Sequence, residues 1–298
     1  MYLYLEYMSD KSVGIIGLGN MGSKMAGVFI AAKFTVYGYD LDEKKRLSAK
    51  KQGINTVAIE DIFSRTNACI LSLPTEESIT SALESITPKD GAKIIDMSTV
   101  SPAFSRKNHE KLAEKGVHYL DAPVIGMPQG AGRWTIPVGG DRQAFETVQE
   151  ILSVLASHIY YVGDSGNGAT IKIVNNMISL TTWSVISEVV VLANKVGIDL
   201  NRLYEVIKSS GGGAVSPMLD RITRIANNDF ENICSVDVNI KDLKAATDMA
   251  HSLGVPAFVT ASALNLHLLA KEKGLGQMDM DAIPLAFSSF RQKDTGGG

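Results

Sequence analysis

Cysteine is scarce in this chain. Cys69 and Cys234 are the only two in 298 residues, and they stand at no metal-type or redox-type spacing. A disulfide framework is therefore not written into the sequence, and a reduced, cytoplasmic protein is the simpler expectation. Charge of one sign is missing too. Twenty-nine basic against 32 acidic residues leave a net charge of -3, so neither a nucleic-acid partner nor an acidic membrane surface is expected. Long apolar runs are absent: no stretch of about 18 uncharged apolar residues occurs, and no membrane span is expected. Residues Met1 to Tyr7 lack a basic start and are interrupted by Glu6, which excludes a secretory signal in this reading. Met8 is the more natural beginning, and residues 1–11 are read as an N-terminal extension. Histidines 109, 118, 158, 251 and 267 have no metal-ligand spacing, so no metal is expected.

What is present is a composition of ordinary globular type, 45% hydrophobic and 20% charged, at a length that predicts two domains. The first half alternates short apolar strands with amphipathic segments. Strands are read at 13–16, 35–39, 68–73, 93–97 and 117–121, and helices at 21–32 and 42–52. Strands joined by helical crossovers imply a mainly parallel, doubly wound α/β sheet. From about Gly168 the pattern turns helical. Residues 169–196 form one long apolar stretch with Glu188 as its only acidic residue. Such a helix has to be covered by the rest of the chain or by a second chain. The boundary is placed at Ser165-Gly166-Asn167-Gly168. This gives a Rossmann-type domain at 12–166 and an all-α C-terminal domain at 167–298, joined by the long helix. Gly211-Gly212-Gly213 is read as a flexible turn, and the terminal glycines as a disordered tail.

The segment Gly17-Leu18-Gly19-Asn20-Met21-Gly22 follows the first strand and opens a helix. Gly17 permits the tight turn. Gly19 lets the backbone approach a pyrophosphate, and Gly22 lets helix and strand pack closely. Free N–H groups at the positive helix end would hold the phosphates. Asp40 ends the second strand, where a carboxylate accepts both ribose hydroxyls of an adenosine and repels a 2′-phosphate. NAD is thus favoured as cofactor, with NADP left possible by Lys44, Lys45 and Arg46 one turn on. The other reading of Asp40 is a plain helix cap.

Three further segments occur in order: Asp121-Ala122-Pro123-Val124 running to Val138-Gly139-Gly140, then Gly168-Ala169-Thr170-Ile171-Lys172-Ile173-Val174-Asn175-Asn176, then Lys241-Asp242-Leu243 with Gly254-Val255-Pro256 downstream. With the glycine loop, these resemble the β-hydroxyacid dehydrogenases, the family of 3-hydroxyisobutyrate, tartronate semialdehyde and 6-phosphogluconate dehydrogenases. The resemblance runs from Val13 to Phe258. It implies that Lys172 is the catalytic acid/base and that Asn176 lies beside the substrate. Four residues apart, the two share one helix face, expected to point into the cleft between the domains. Alcohol oxidation needs a base for the hydroxyl proton and carbonyl reduction needs an acid. A lysine does both if its pKa is brought toward the working pH. The resemblance also places Lys241 near the nicotinamide, Asp242 at the substrate, Thr99 at the nicotinamide ribose, and Leu73 and Pro74 along the cofactor. It further implies a homodimer or homotetramer in which the helical domains pack together. Read without it, Thr99 is a helix cap, Pro74 a strand terminator, and Lys241 an exposed lysine at a helix start.

One stretch departs from the family. Its usual Ser-Gly-Gly after Asp-Ala-Pro-Val is replaced by Ile125-Gly126-Met127. Ile125 offers no side-chain hydrogen bond, so the substrate carboxylate would rest on the N–H groups of Gly126 and Met127. Pro128 has none. Arg133 offers another carboxylate clamp or is a surface arginine, and Trp134 reads as packing. The expected activity is hydride transfer between NAD(P) and a small 3-hydroxy acid or its semialdehyde. The alternatives are reduction of an imine or atypical ketone on the same fold, which the presence of Lys172 opposes, and a non-catalytic cofactor-binding scaffold.

Overall fold

The computed structural model describes residues 11–210, 221–288 and 290. The extension up to Asp10, the Gly211-Gly212-Gly213 turn and the terminal glycine tail lie outside the described residues. The chain divides into two units, one ending at Lys172 and the next beginning at Ile173.

The first unit begins with β1 (Ser12–Ile16), α1 (Asn20–Ala31), β2 (Thr35–Tyr39), α2 (Glu43–Lys51) and β3 (Asn55–Thr56). A second run follows: α3 (Ile62–Arg65), β4 (Ala68–Leu71), α4 (Glu76–Ser85), β5 (Lys93–Asp96), α5 (Pro102–Ala113) and β6 (His118–Asp121). The strands form one parallel sheet in the order β3-β2-β1-β4-β5-β6. The order reverses between β1 and β4, which makes the end of β1 the switch point of a doubly wound sheet. Helices on both faces account for the near-continuous apolar character of the central strands. Ile15, Ile70, Ile95 and Leu120 share a core with Met25 and Phe29 of α1. Ile16, Leu71, Ile94 and Tyr119 share the opposite core with Ile62, Ile79 and Leu112. Side-chain caps start the helices: Asp42 on α2, Thr75 with Ser78 as a capping box on α4, and Ser101 before Pro102 on α5.

The unit closes with β7 (Trp134–Val138), α6 (Arg142–Leu155) and β8 (Ala156–Tyr161), the two strands forming a separate parallel pair. The sequence reading has no strand at either place. Pro137 inside β7 breaks the usual strand signal, and a strand with a single partner tolerates a residue that cannot donate.

The long helix α7 (Asn167–Lys195) starts in the first unit and continues into the second. It is long and apolar enough to cross a membrane by length and composition, but 53% of its most apolar 18-residue window is buried within the protein. The second unit continues with α8 (Leu200–Lys208), α9 (Arg221–Ala226), α10 (Val236–Ser252) and α11 (Phe258–Ala270). Leu180 and Trp183 of α7 pack with Val236, Ile240, Leu243 and Ala263. Beneath them lies a buried charge cluster. Asp281 meets Arg221 at 3.2 Å and Arg224 at 3.1 Å, with fully buried Asp279 beside it. Pairing is what makes such burial tolerable. Burial still pushes the Asp281 carboxyl up to about 6, against the pull of Arg221.

Candidate active site

The glycine loop runs from β1 into α1. Gly17 has φ +95°, and a Cβ there would collide with the Ser72 carbonyl; one at Gly22 would collide with the carbonyl of Gly17. A side chain at Gly19, in contrast, would meet nothing within 4 Å. Two glycines thus close the turn, while the third leaves open space at the start of α1. That helix end has no side-chain cap and no acidic residue in its first turn. Uncapped N–H groups, positive helix polarity and open space together fit a dinucleotide pyrophosphate.

Asp40 follows β2 and does not cap α2, since Asp42 does that by accepting from the Lys44 amide at 2.8 Å. Asp40 instead accepts from the amide of Leu18 in the glycine loop at 2.8 Å and from that of Asp42 at 2.9 Å. Lys45 Nζ stands 3.7 Å from its carboxylate, and Arg46 donates to its carbonyl at 2.6 Å. The acid is therefore tied to the loop it is expected to serve, with two cations at hand.

The other expected cofactor residues follow the neighbouring strands. Leu73 lies after β4, and its amide donates to Ser98 Oγ at 3.0 Å. Pro74 is exposed, and Thr99 is half-buried after β5. Thr99 does not cap α5, because Ser101 does. The loop 122–127 leaves β6. All of these stand at the carboxyl edge of one parallel sheet, where ligands of this architecture bind.

In the loop after β6, Ile125 exchanges main-chain hydrogen bonds with Thr135. Its N–H is spent, which removes it as a donor to substrate. The amides of Gly126 and Met127 make no hydrogen bond among the described residues. Trp134 is buried beneath them and donates from Nε1 to the Met127 carbonyl at 2.8 Å. Its ring fills the space that a side chain at Gly126 would need. Trp134 is thus packing that shapes the loop, and Arg133 is exposed.

Lys172 is half-buried on the second turn of α7. Asn176 is buried one turn on and donates to Asp242 Oδ2 at 2.8 Å. Asp242 in turn stands 3.6 Å from Lys241 Nζ. The helical unit therefore joins three expected residues into one polar group, and Lys241 sits inside α10 rather than at its start.

Sequence reasoning missed the buried groups behind this edge. Tyr119 donates to Asp96 at 2.6 Å, and Asp96 also accepts from the Ser98 amide. Burial pushes both the Asp96 and Asp121 carboxyls up, opposed at Asp121 by the amides of Gly166 and Ala169. Asp121 reaches 45 and 48 residues along the chain to those amides, and no local pattern signals such contacts.

Comparison with known proteins gives the family of the chain. Residues 12–163 match the model of the NAD binding domain of 6-phosphogluconate dehydrogenase, and residues 166–285 that of the NAD-binding domain of NADP-dependent 3-hydroxyisobutyrate dehydrogenase. The chain belongs to the β-hydroxyacid dehydrogenase family. It is 32% identical over 294 residues to 2-(hydroxymethyl)glutarate dehydrogenase of Eubacterium barkeri, covering 96% of this chain and 98% of that one. It is 31% identical to L-threonate dehydrogenase of Haemophilus influenzae, over 93% of this chain and 95% of that one. Among solved structures, 3-hydroxyisobutyrate dehydrogenase from Salmonella typhimurium superposes with a TM-score of 0.85 at 27% identity, over 93% of this chain and all of that one. The β-hydroxyacid dehydrogenase domains make this an NAD(P)-binding oxidoreductase.

Proposed function

We propose that the protein oxidises a small 3-hydroxy acid, or reduces the corresponding semialdehyde, with Lys172 as general acid/base. The observation that carries this reading is Lys172 on the second turn of α7, in a chain whose glycine loop leaves space for a pyrophosphate. A bound NAD(P) supplies the hydride acceptor or donor. Lys172 takes the hydroxyl proton during oxidation and returns it to the carbonyl oxygen during reduction. Asn176, its amide aligned by Asp242, hydrogen-bonds the same oxygen or the acid group. The N–H groups of Gly126 and Met127 hold the carboxylate, with Ile125 as an apolar wall. Glycine-loop residues 17–22 hold the pyrophosphate and Asp40 the adenosine ribose, so NAD is preferred. Lys45 and Arg46 beside Asp40 give NADP a weaker hold. Leu73, Pro74, Thr99 and Lys241 flank the rest of the cofactor.

Three relatives named for three different acids support the class of substrate rather than any one member. We further propose a homo-oligomer. Ile178, Val185 and Leu192 follow one another at intervals of seven along α7 and are 68%, 54% and 66% exposed. A matching stripe on a second copy would cover them.

The test is steady-state oxidation of 3-hydroxyisobutyrate, glycerate, threonate and 4-hydroxybutyrate with NAD and with NADP. Lys172→Ala is expected to lose at least about a hundredfold in kcat on whichever acid turns over. Undiminished turnover by that variant would refute the assignment.

A further inference from the structure

We propose that Asp121 is the positioning residue that sets where Lys172 stands, an inference that rests on the acid/base role of that lysine. Asp121 ends β6 and is 1% exposed. Its Oδ1 accepts from the amide of Gly166 at 2.8 Å and from Ser165 Oγ at 3.2 Å. Its Oδ2 accepts from the amide of Ala169 at 2.9 Å. Ala169 is in the first turn of α7, where amides have no partner within the helix. Lys172 follows three residues later, on the same side of the helix. One carboxylate thus grips the entry to the helix and the first turn together, fixing both its position and its rotation.

The main chain of Asp121 is held as firmly. Its amide donates to the Gly139 carbonyl at 3.1 Å, and its carbonyl accepts from the Gly139 amide at 2.9 Å. A side chain at Gly168 would collide with that carbonyl, and one at Gly139 would lie 2.8 Å from Oδ1. These close approaches leave the carboxylate no other place. The residue after Asp121 opens loop 122–127. The acid/base helix and the loop offering amides to the substrate therefore meet at one side chain. A shift of about 1 Å in a reacting group can cost about a hundredfold in rate. Replacing one oxygen by an amide sets an N–H against an N–H and releases half of the grip. It also removes a negative charge within two turns of Lys172, which disfavours the ammonium. Asp96, Tyr119 and Arg106 also lie around this point and are left in place by that change.

The experiment is the pH dependence of kcat for Asp121→Asn, Ser165→Ala and Lys172→Ala, with Val148→Ala as a core variant away from these groups. Cofactor affinity and melting temperature are measured alongside. Asp121→Asn is expected to lower kcat by about tenfold to a hundredfold with cofactor Kd nearly unchanged. The rise of oxidation with pH should move to lower pH. Ser165→Ala leaves that charge in place and removes one donor to Oδ1, so it should lower kcat by less and leave the pH profile where it is. Val148→Ala should lower the melting temperature and leave the pH profile in place. A folded Asp121→Asn with the wild-type kcat and profile would overturn the proposal, as would the same changes in Val148→Ala. Should Asp121→Asn not fold, Ser165→Ala decides: a lowered kcat with cofactor Kd and melting temperature unchanged supports the role, and a wild-type kcat refutes it. Full activity in Lys172→Ala would bring down the lysine reading and this inference together. An inactive Lys172→Ala beside an unshifted Asp121→Asn would bring down this inference alone.

Discussion

His267 shows how much a single side chain owes to its surroundings. It is fully buried, with Nδ1 2.9 Å from the Ala263 carbonyl and Nε2 3.5 Å from Asn239 Nδ2. A carbonyl only accepts, so Nδ1 carries the proton and Nε2 accepts from the amide. Burial lowers its pKa from the ordinary 6.5. As the pH falls through 6.5 the unfolded chain therefore binds this proton more readily than the native protein. The stability this histidine contributes is present above 6.5 and is lost as the pH falls. Thermal unfolding should show the wild type losing melting temperature relative to His267→Leu between pH 7.5 and 5.5; parallel curves would refute it. Nothing in the sequence distinguishes His267 from the other four histidines, because burial is a property of the packed helices. Asp40 was legible from its place at a strand end, whereas its bond to the Leu18 amide depended on how the loop folds back.

At the scale of elements, the strand–loop–helix unit around Gly17 to Gly22 was the most legible, because each glycine answers a local demand. The structure separates those demands into a prediction. Gly22→Ala forces a methyl group into the Gly17 carbonyl and should cost about 1–3 kcal/mol of stability in the ligand-free protein. Gly19→Ala meets open space, so stability should change by less than about 1 kcal/mol. Dinucleotide binding should nevertheless weaken about tenfold or more. Denaturant unfolding and cofactor titration of the two variants check this, and equal effects on both readouts would refute it. The β7 and β8 pair was not legible. One strand contains Pro137, and the pairing is made across the intervening helix α6. The helix of Lys172 and Asn176 could be read from its apolar length, but the Asn176–Asp242 bond joins positions 66 residues apart.

For the whole molecule, the apolar stripe on α7 decides what a second copy would cover. The sequence reading asked for some cover along this helix. The helical unit supplies it on one side, through Leu180, Trp183 and Val190. Ile178, Val185 and Leu192 stay on the other. Lysine at both 178 and 185 should shift the sedimentation of the protein toward a single chain and leave the monomer folded by circular dichroism. Unchanged assembly would move the interface elsewhere.

The alternation of strands with helices as far as β6, the turn at the glycine loop and the candidacy of Lys172 on its helix face were legible in the sequence alone. Periodicity, glycine and a motif on one helix face act over a few residues. The tertiary structure alone decided that Asp121 grips the start of α7, that Ile125 has no N–H to offer, and that burial lowers the pKa of His267. Each of these depends on distant segments and on the exclusion of water, and no window of sequence contains either.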